Sequence, residues 1–255
     1  MLRYLLSLIV ILASATAAGG EPAQRLVQAK DVGPTQVEIG HYAAGFKLQT
    51  WKNEAKAAGV TFNSYVKNQL TAKFDGKPIP AIIDPKGKVR MLDGHHKLTA
   101  LRTIEREMGI KVLVRIQVVH DYKGQSFDRY ARHLVGTLGK GYFGAKPPAS
   151  AIAKVKTLPS SFDKLGDNPL RSVLGVVFTK SGLEGSWFAD YIQFHLGEKL
   201  MAGGLEKELQ RQGLTDRNGK LASDSAGNPR VIKAVTRMVF SNPKLDSYLR
   251  GKIKP

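Results

Sequence analysis

Apolar residues recur with two different periods along the 255 residues of the chain, and these periods predict strands and helices. The strongest strand pattern is the alternation between Lys111 and Val119. Shorter patterns predict strands at 36–39, 81–84 and 88–92. Helical spacing predicts helices at 43–58, 62–72, 127–138, 171–180, 187–201 and 231–240. The first of these helices is expected to bury Phe46, Leu48 and Trp51.

A short polar sequence, Asp-Gly-His-His-Lys at 93–97, joins one predicted strand to a further helix. The strand at 88–92 ends directly before it, and the helix extends to about Met108, where Gly109 ends it. The first N–H groups of a helix have no partner within the helix, and they attract anions. We therefore expect this junction, the Asp-Gly-His-His box at 93–96, to bind a phosphate group.

Each residue at the junction has a chemical use. Asp93 occupies the expected N-cap position, where its carboxylate accepts a hydrogen bond from an N–H two or three residues later. Gly94 lets the backbone approach a ligand closely. His95 and His96 point about 100° apart in the first turn, where the helix dipole favours neutral imidazole, a general base or metal ligand. Lys97 adds a positive charge to the same turn. The alternative is structural: Asp93 only caps the helix, and the histidines are surface residues.

The first 18 residues have the layout of a secretory signal peptide. Arg3 precedes an apolar run from Leu5 to Ala13, and Ala15-Thr-Ala17 supplies the small residues of a cleavage site. The run is short for a membrane span, so no transmembrane segment is expected after cleavage, and an uncleaved anchor is the alternative. The chain has no cysteine, which excludes disulfides and thiol nucleophiles. We expect a secreted protein of a bacterial periplasm.

The chain is strongly basic. It contains 39 Lys and Arg residues against 21 Asp and Glu, for a formal charge of +18 and a pI of about 10.0. Such an excess favours polyanionic partners, namely nucleic acid, nucleotides or the anionic polymers of a cell envelope. The basic residues are scattered and form no block of like charge, which indicates a diffuse positive surface. General solubility is the alternative explanation.

The sequence around the junction resembles a known family. Residues 79–101, Ile-Pro-Ala-Ile-Ile-Asp-Pro-Lys-Gly-Lys-Val-Arg-Met-Leu-Asp-Gly-His-His-Lys-Leu-Thr-Ala-Leu, resemble the ParB-like nuclease family of the ParB/sulfiredoxin superfamily, in the branch with an Asp-x-His-His box. Upstream, Gln36-Val37, Gly40-His41 and Lys47 are similar to the start of that domain. Downstream, Asp-Asn-Pro-Leu-Arg-Ser at 167–172 is similar to its Asp-Pro-x-Arg-Ser element. The resemblance covers about residues 33–200.

The resemblance implies an α+β fold, a ParB/sulfiredoxin-like small mixed sheet with flanking helices, which binds a phosphate or nucleotide at the box. We expect residues 19–125 to form this domain and residues 126–255 a mainly helical C-terminal extension. Relatives clamp DNA, reduce sulfinic acids, phosphorylate free serine or act as nucleases. Without cysteine, this chain cannot perform the sulfiredoxin reaction. It also lacks the arginine-rich box and the DNA-reading helix pair of chromosome-partitioning ParB.

Further candidates lie outside the box. His41 follows the first predicted strand and is expected to face the same pocket, either as a ligand or in support of the residues that bind the ligand, with an exposed loop histidine as the alternative. Arg171 is a candidate for bidentate phosphate binding, and its alternative is an ion pair with Asp167 or Asp163. His120 ends the strongest strand and is a further candidate to approach the box and support its residues.

The leading hypothesis is hydrolysis of phosphodiester bonds in nucleic acid. His95 or His96 activates water, while Asp93 orients an imidazole or holds a divalent cation such as Mg²⁺ or Mn²⁺. Gly94, Lys97, Lys47 and Arg171 bind phosphate, and the helix N-terminus stabilises the charge of the transition state. Two alternatives stay open: a small-molecule phosphotransferase or nucleotide hydrolase of the free-serine-kinase type, and a non-catalytic module that binds DNA or other polyanions.

Overall fold

The computed structural model describes residues 23–70, 78–142, 150–181 and 192–243. These residues belong to two compact units that alternate along the chain. Unit 1 contains the residues up to Val37, Ala44–Leu134 and Ile152–Leu165, and unit 2 contains Glu38–Ala43, Val135–Ala151 and the residues from Gly166 onward. Both units draw residues from each side of position 125. The domain division at that position stays a prediction, and the expected leader lies outside the described residues.

The described residues combine short strands with helices, which confirms the predicted α+β class. In chain order the elements are β1 (Gln24–Gln28), β2 (Glu38–Ile39), α1 (His41–Ala57), α2 (Phe62–Tyr65), β3 (Ile79–Ile83), β4 (Val89–Met91), α3 (His95–Met108), β5 (Leu113–Asp121), α4 (Phe127–Tyr142), α5 (Ser150–Lys156), β6 (Gly166–Asp167), α6 (Pro169–Lys180), α7 (Ile192–Ala202), α8 (Leu205–Arg211) and α9 (Pro229–Phe240). Within the described part of the chain, none of these helices is both long and apolar enough to span a bilayer.

Unit 1 is built on a four-stranded mixed sheet in the order β1-β5-β3-β4. β3 pairs with β5 in parallel and with β4 in antiparallel orientation. The alternation predicted for β5 is present, since Val114, Ile116 and Val118 are buried. The hairpin between β3 and β4 turns at Gly87, whose φ of 82° is the left-handed conformation that favours glycine.

The junction helix forms where its apolar spacing predicts it. In α3, Leu98, Leu101 and Ile104 are fully buried. The helix ends at Gly109, which has a φ of 63° and provides the expected C-terminal cap. Because β4 ends at Met91 and α3 begins at His95, the Asp-Gly-His-His box lies in the tight connection between sheet and helix.

Unit 2 combines a short two-stranded sheet with a helical core. β2 and β6 pair in parallel, and α1 and α6 begin directly after these strands. The helices α6 to α9 bury a cluster of aliphatic side chains that includes Val173, Leu174, Leu200, Leu205, Leu209, Val231, Val235 and Val239. This cluster agrees with the helical character predicted for the C-terminal half.

The apolar pattern misses one strand and is wrong about one side chain. β1 is a strand that the sequence does not predict, because Gln24–Gln28 shows no clean alternation and pairs with the distant β5. Phe46, predicted to be buried, is 64% exposed on α1, whereas Trp51 of the same helix is buried. The helix predicted at 127–138 continues to Tyr142.

Candidate active site at the N-terminus of α3

The N-cap of α3 is Gly94 and not the predicted Asp93. Gly94 has a φ of 82° and a ψ of 21° and, as a glycine, makes no side-chain cap. The exposed carboxylate of Asp93 accepts a hydrogen bond from the adjacent Gly94 N–H at 2.6 Å. Among the described residues, a Cβ on Gly94 would meet only Met91 Cε, at 3.4 Å. The left-handed φ, rather than lack of space, therefore favours glycine at this position.

His95 is buried and has a fixed orientation. Its Nε2 accepts a hydrogen bond from the backbone N–H of Thr35 at 3.1 Å, and the two residues are only 3% and 1% exposed. The Thr35 hydroxyl donates to the Met91 carbonyl at 2.8 Å. Because Nε2 acts as an acceptor, the ring is neutral and carries its proton on Nδ1. Nε2 of His95 is therefore already engaged by the protein.

The segment that contains Thr35 is attached to the edge of the sheet. Gly33 N–H donates to the Val89 carbonyl at 2.8 Å, and Met91 N–H donates to the Gly33 carbonyl at 3.0 Å. Arg90 Nη1 donates to the Pro34 carbonyl at 3.2 Å. Thr35 thus reaches His95 from a backbone segment that runs beside β4 in parallel.

A second segment, residues 159–163, contacts the other side of the box. The rings of Phe162 and His95 lie 5.7 Å apart, and Phe162 is buried. Arg90 Nη1 donates to the Pro159 carbonyl at 2.7 Å. Arg102 of α3 pairs with Asp163 at 2.7 Å. These contacts hold residues 159–163 against α3, where Asp163 pairs with Arg102.

The buried Asp84 supports the same region from the hairpin turn. Its Oδ1 accepts hydrogen bonds from Lys86 and Lys88 N–H, each at 2.9 Å. Its Oδ2 pairs with Arg90 Nε at 3.1 Å, and the two side chains are 8% and 13% exposed. Burial, followed by the positive charge of Arg90, lowers the pKa of Lys88. The turn is therefore a rigid base for β4, which leads into the box.

His96 and Lys97 are more accessible than His95. His96 is partly buried and Lys97 is exposed in the first turn of α3. Consecutive helical residues point about 100° apart, which explains why His95 enters the core while its neighbour stays near the surface. Lys47 is partly buried on α1. It belongs to unit 1, as the box does.

His41 and Arg171 belong to unit 2. His41 is exposed, and its backbone N–H donates to Asp167 Oδ1 at 2.8 Å. The buried guanidinium of Arg171 donates from Nη1 to the Glu38 carbonyl at 2.5 Å. Within unit 2, these contacts tie β2 to β6 and α6, and they give the Arg171 side chain a structural role.

The two sequence elements that flank the box in the chain, Gly40-His41 and Asp167 to Ser172, come together in unit 2. Ser172 Oγ accepts a hydrogen bond from Ala43 N–H at 3.2 Å, so that residues of β6 and α6 cap the start of α1. A Cβ on Gly40 would lie 2.8 Å from the Ser172 backbone nitrogen. Gly40 is thus required for this close approach of two helix starts.

His120 lies away from the box. His120 lies on β5, where it pairs with Ile82 of β3. Because β3 lies between β5 and β4, His120 is two strand spacings, about 10 Å, from the strand that leads into the box. The His120 ring contacts the His133 ring of α4 with centroids 4.1 Å apart. Burial lowers the pKa of His120. Burial, followed by the charge of His120, also lowers the pKa of His133. These histidines form a separate, neutral pair.

Sequence reasoning missed Thr35 and Phe162, which orient His95. Thr35 lies 60 residues before its histidine partner, and Phe162 lies farther along the chain in a Pro- and Ser-containing stretch. Neither residue belongs to a motif. The only sequence signal is indirect: a histidine at a helix start followed by Leu98 and Leu101 falls on the buried side of that helix.

The donors at the box include a single carboxylate. Asp93 offers one hard oxygen ligand of the kind that Mg²⁺ and Mn²⁺ prefer, and these ions commonly combine one or two carboxylates with substrate phosphate and water. In the described ranges, no three His, Asp or Glu side chains are grouped as metal ligands. The residues therefore fit a divalent cation only if a bound phosphate supplies further oxygen atoms.

The comparisons with known proteins identify a family. The sequence profile described as "Putative ParB-like nuclease" matches residues 26–201. Among solved structures, protein Atu1540 from Agrobacterium tumefaciens is similar with a TM-score of 0.49 and 16% sequence identity, over 83% of this chain and 91% of that chain. The comparison with curated proteins finds no match.

Proposed function

The chain belongs to the ParB-like nuclease family, and on that premise we propose that its Asp-Gly-His-His box binds a phosphodiester of nucleic acid and hydrolyses it. The family match includes the box and extends through residue 201. The proposal concerns the local chemistry of unit 1, where every residue of the box is described.

The observation that carries the proposal is the position of the box at the N-terminus of α3. Gly94 is the N-cap residue, and His95, His96 and Lys97 form the first turn. The positive end of a helix dipole stabilises a bound anion. The exposed Lys97 adds a positive charge to the same turn. A phosphate group matches this combination of dipole and charge.

We assign the general base to His96 and a supporting role to His95. Nε2 of His95 is occupied by the Thr35 N–H, whereas His96 lies nearer to solvent. In the proposed step, His96 takes a proton from water, the water oxygen bonds to phosphorus, and one phosphorus–oxygen ester bond breaks. The departing oxygen takes a proton from solvent. Lys97 and the first N–H groups stabilise the additional negative charge on the phosphoryl oxygens.

Asp93 makes the site dependent on a cation. Its carboxylate lies beside the proposed phosphate position and repels a bare anion. Asp93 and the phosphate would hold a divalent ion, which would remove this repulsion and supply Lewis acidity. Mg²⁺ and Mn²⁺ suit the oxygen ligand.

The charge of the whole chain supports a polyanionic substrate. The formal charge of +18 favours nucleic acid through release of its condensed counterions. We further propose that the protein acts after export to a bacterial periplasm, on the basis of the leader-like residues 1–18. Comparing the N-terminal residue and the cell fraction of the native protein with those of a variant without residues 1–18 tests this location.

Plasmid cleavage tests the enzymatic proposal. The purified protein should degrade plasmid DNA with Mg²⁺ or Mn²⁺ and lose this activity in EDTA. His96→Ala should reduce the turnover rate at least about a hundredfold, because general base catalysis contributes that much. Lys97→Ala should raise KM and also lower the turnover rate, because the proposal assigns its charge both to the bound phosphate and to the transition state. Lys86→Ala removes the same charge from an exposed lysine at the β3–β4 turn and should have little effect on either constant.

Three results would contradict the proposal or replace it. Full activity in His96→Ala would remove the assigned base. Hydrolysis of nucleotides without cleavage of DNA would favour the nucleotide hydrolase or phosphotransferase. DNA binding that falls steeply with salt, without turnover in any divalent metal, would identify a polyanion-binding module.

A further inference from the structure

An open groove of about 770 Å³ lies between α7, α8 and α9 of unit 2, far along the chain from the box. Small-molecule sites commonly have volumes of roughly 300–1,000 Å³. We propose that this groove binds a single-chain anionic amphiphile, such as an alkyl phosphate or a fatty-acid carboxylate. This inference does not depend on the proposed nuclease function.

The floor of the groove is apolar. Met238 is partly buried and Ala234 is 8% exposed, and both line the groove together with the exposed Pro243. Ala234 and Met238 of α9 are four residues apart and therefore share one side of the helix. Leu200 and Ala234 also belong to the core cluster of this unit. This aliphatic floor suits an alkyl chain.

The rim of the groove is cationic. Lys199, Arg211 and Arg237 line it together with one carboxylate, that of Glu208. Arg211 binds Glu208 through two hydrogen bonds of 3.0 and 2.7 Å, and Gln212 donates to the same carboxylate at 2.6 Å. The hydrogen bonds from Arg211, followed by that from Gln212, lower the pKa of Glu208 to about 2.

Glu208 therefore stays ionised and neutralises Arg211, to which it is bound. Arg237 is exposed on α9, on the groove side next to Met238. Its guanidinium is placed to receive an anionic head group above the apolar floor. A guanidinium binds carboxylate and phosphate oxygens through two parallel hydrogen bonds, so both head groups fit the same position.

The lining also favours an alkyl chain over a nucleotide. None of the described residues that line the groove is aromatic, and nucleobases are usually held by stacking on aromatic rings. A nucleotide would have its phosphate at Arg237 but no stacking partner. An aliphatic chain needs only the apolar contact that Ala234, Met238 and Pro243 provide.

Titration calorimetry on the full chain tests the proposal with octyl phosphate below its micelle concentration. We expect saturable binding at one site. Inorganic phosphate, which lacks the chain, and octyl glucoside, which lacks the charge, should bind at least about tenfold more weakly. AMP should also bind more weakly. Absence of saturable binding, or a higher affinity for AMP, would overturn the proposal.

Two matched variants of α9 locate the site. Arg237→Gln should weaken octyl phosphate binding about tenfold, because it removes a charge-assisted hydrogen bond. Lys233→Gln removes the same charge from an exposed residue of this helix that does not line the groove, and it should bind like the original protein. Circular dichroism checks that both variants fold. An equal loss in both variants would show diffuse charge attraction and overturn the assignment.

Vesicles separate a free amphiphile from a membrane surface. Vesicles of phosphatidylcholine and phosphatidylglycerol should bind the Arg237→Gln and Lys233→Gln variants equally, since a membrane senses overall charge. A specific loss of vesicle binding in Arg237→Gln, without saturable binding of monomeric octyl phosphate, would assign the groove to lipid head groups of a membrane and overturn the proposal of a free ligand.

Discussion

Replacement of His95 by leucine distinguishes a structural histidine from a catalytic one. The His95 ring accepts a hydrogen bond from the Thr35 N–H at 3.1 Å, and both residues are almost completely buried. Leucine has a similar size but no acceptor. The substitution leaves a buried N–H group without its partner, which costs about 1–3 kcal/mol in the free energy of unfolding. The packing against Phe162 changes less, because leucine fills most of the same space.

Urea denaturation measures this loss. Trp51 is buried in unit 1 and reports on its unfolding in a Trp187→Phe background, which removes the second tryptophan of the chain. His96→Leu is the matched control: the same substitution one residue later should cost less stability than His95→Leu, because His96 is only partly buried, yet it should abolish DNA cleavage. The reasoning is refuted if His95→Leu unfolds at the same urea concentration as the original protein, or if His96→Leu loses equal stability.

Two further predictions concern stability alone. The pKa values of His120 and His133 lie below the ordinary 6.5. As the pH falls through 6.5, the unfolded chain therefore binds more protons than the folded chain, and the free energy of unfolding falls. Urea denaturation at about pH 7 and about pH 5 should show this loss of stability, and His133→Phe should reduce it; an unchanged loss in His133→Phe would contradict the burial argument. Gly40→Ala should destabilise unit 2 by about 2 kcal/mol or more, because its Cβ would lie 2.8 Å from the Ser172 nitrogen. Gly45→Ala, on an open part of α1, should instead stabilise that helix by about 0.5–1 kcal/mol. A larger drop in the thermal unfolding midpoint for Gly45→Ala than for Gly40→Ala would contradict this argument.

The sequence predicts the elements whose signals are local. The apolar spacing of Leu98, Leu101 and Ile104 and the stop at Gly109 define α3 within a residue or two. The alternation of β5 and the turn at Gly87 are likewise properties of neighbouring residues. For this reason the position of the box, between a strand and a helix, could be predicted before any tertiary contact was known.

The N-cap was predicted wrongly for a local reason as well. Asp93 has the residue type of an N-cap, but its side chain accepts the N–H of the next residue. Gly94 then adopts the left-handed conformation and becomes the cap itself. Residue preferences alone do not distinguish these two arrangements, since aspartate and glycine both occur at N-caps.

The tertiary structure alone decides how the two histidines differ. Adjacent residues in a helix must point in different directions, but only the packing of Thr35 and Phe162 shows that His95 is the buried one. The same holds for β1, whose residues become a strand by pairing with β5 about 90 residues later. Short-range periodicity thus determined the sheet-to-helix junction of this protein. Contacts between residues distant in sequence determined which side chains of that junction are buried, because burial depends on surfaces that come together only when the chain folds.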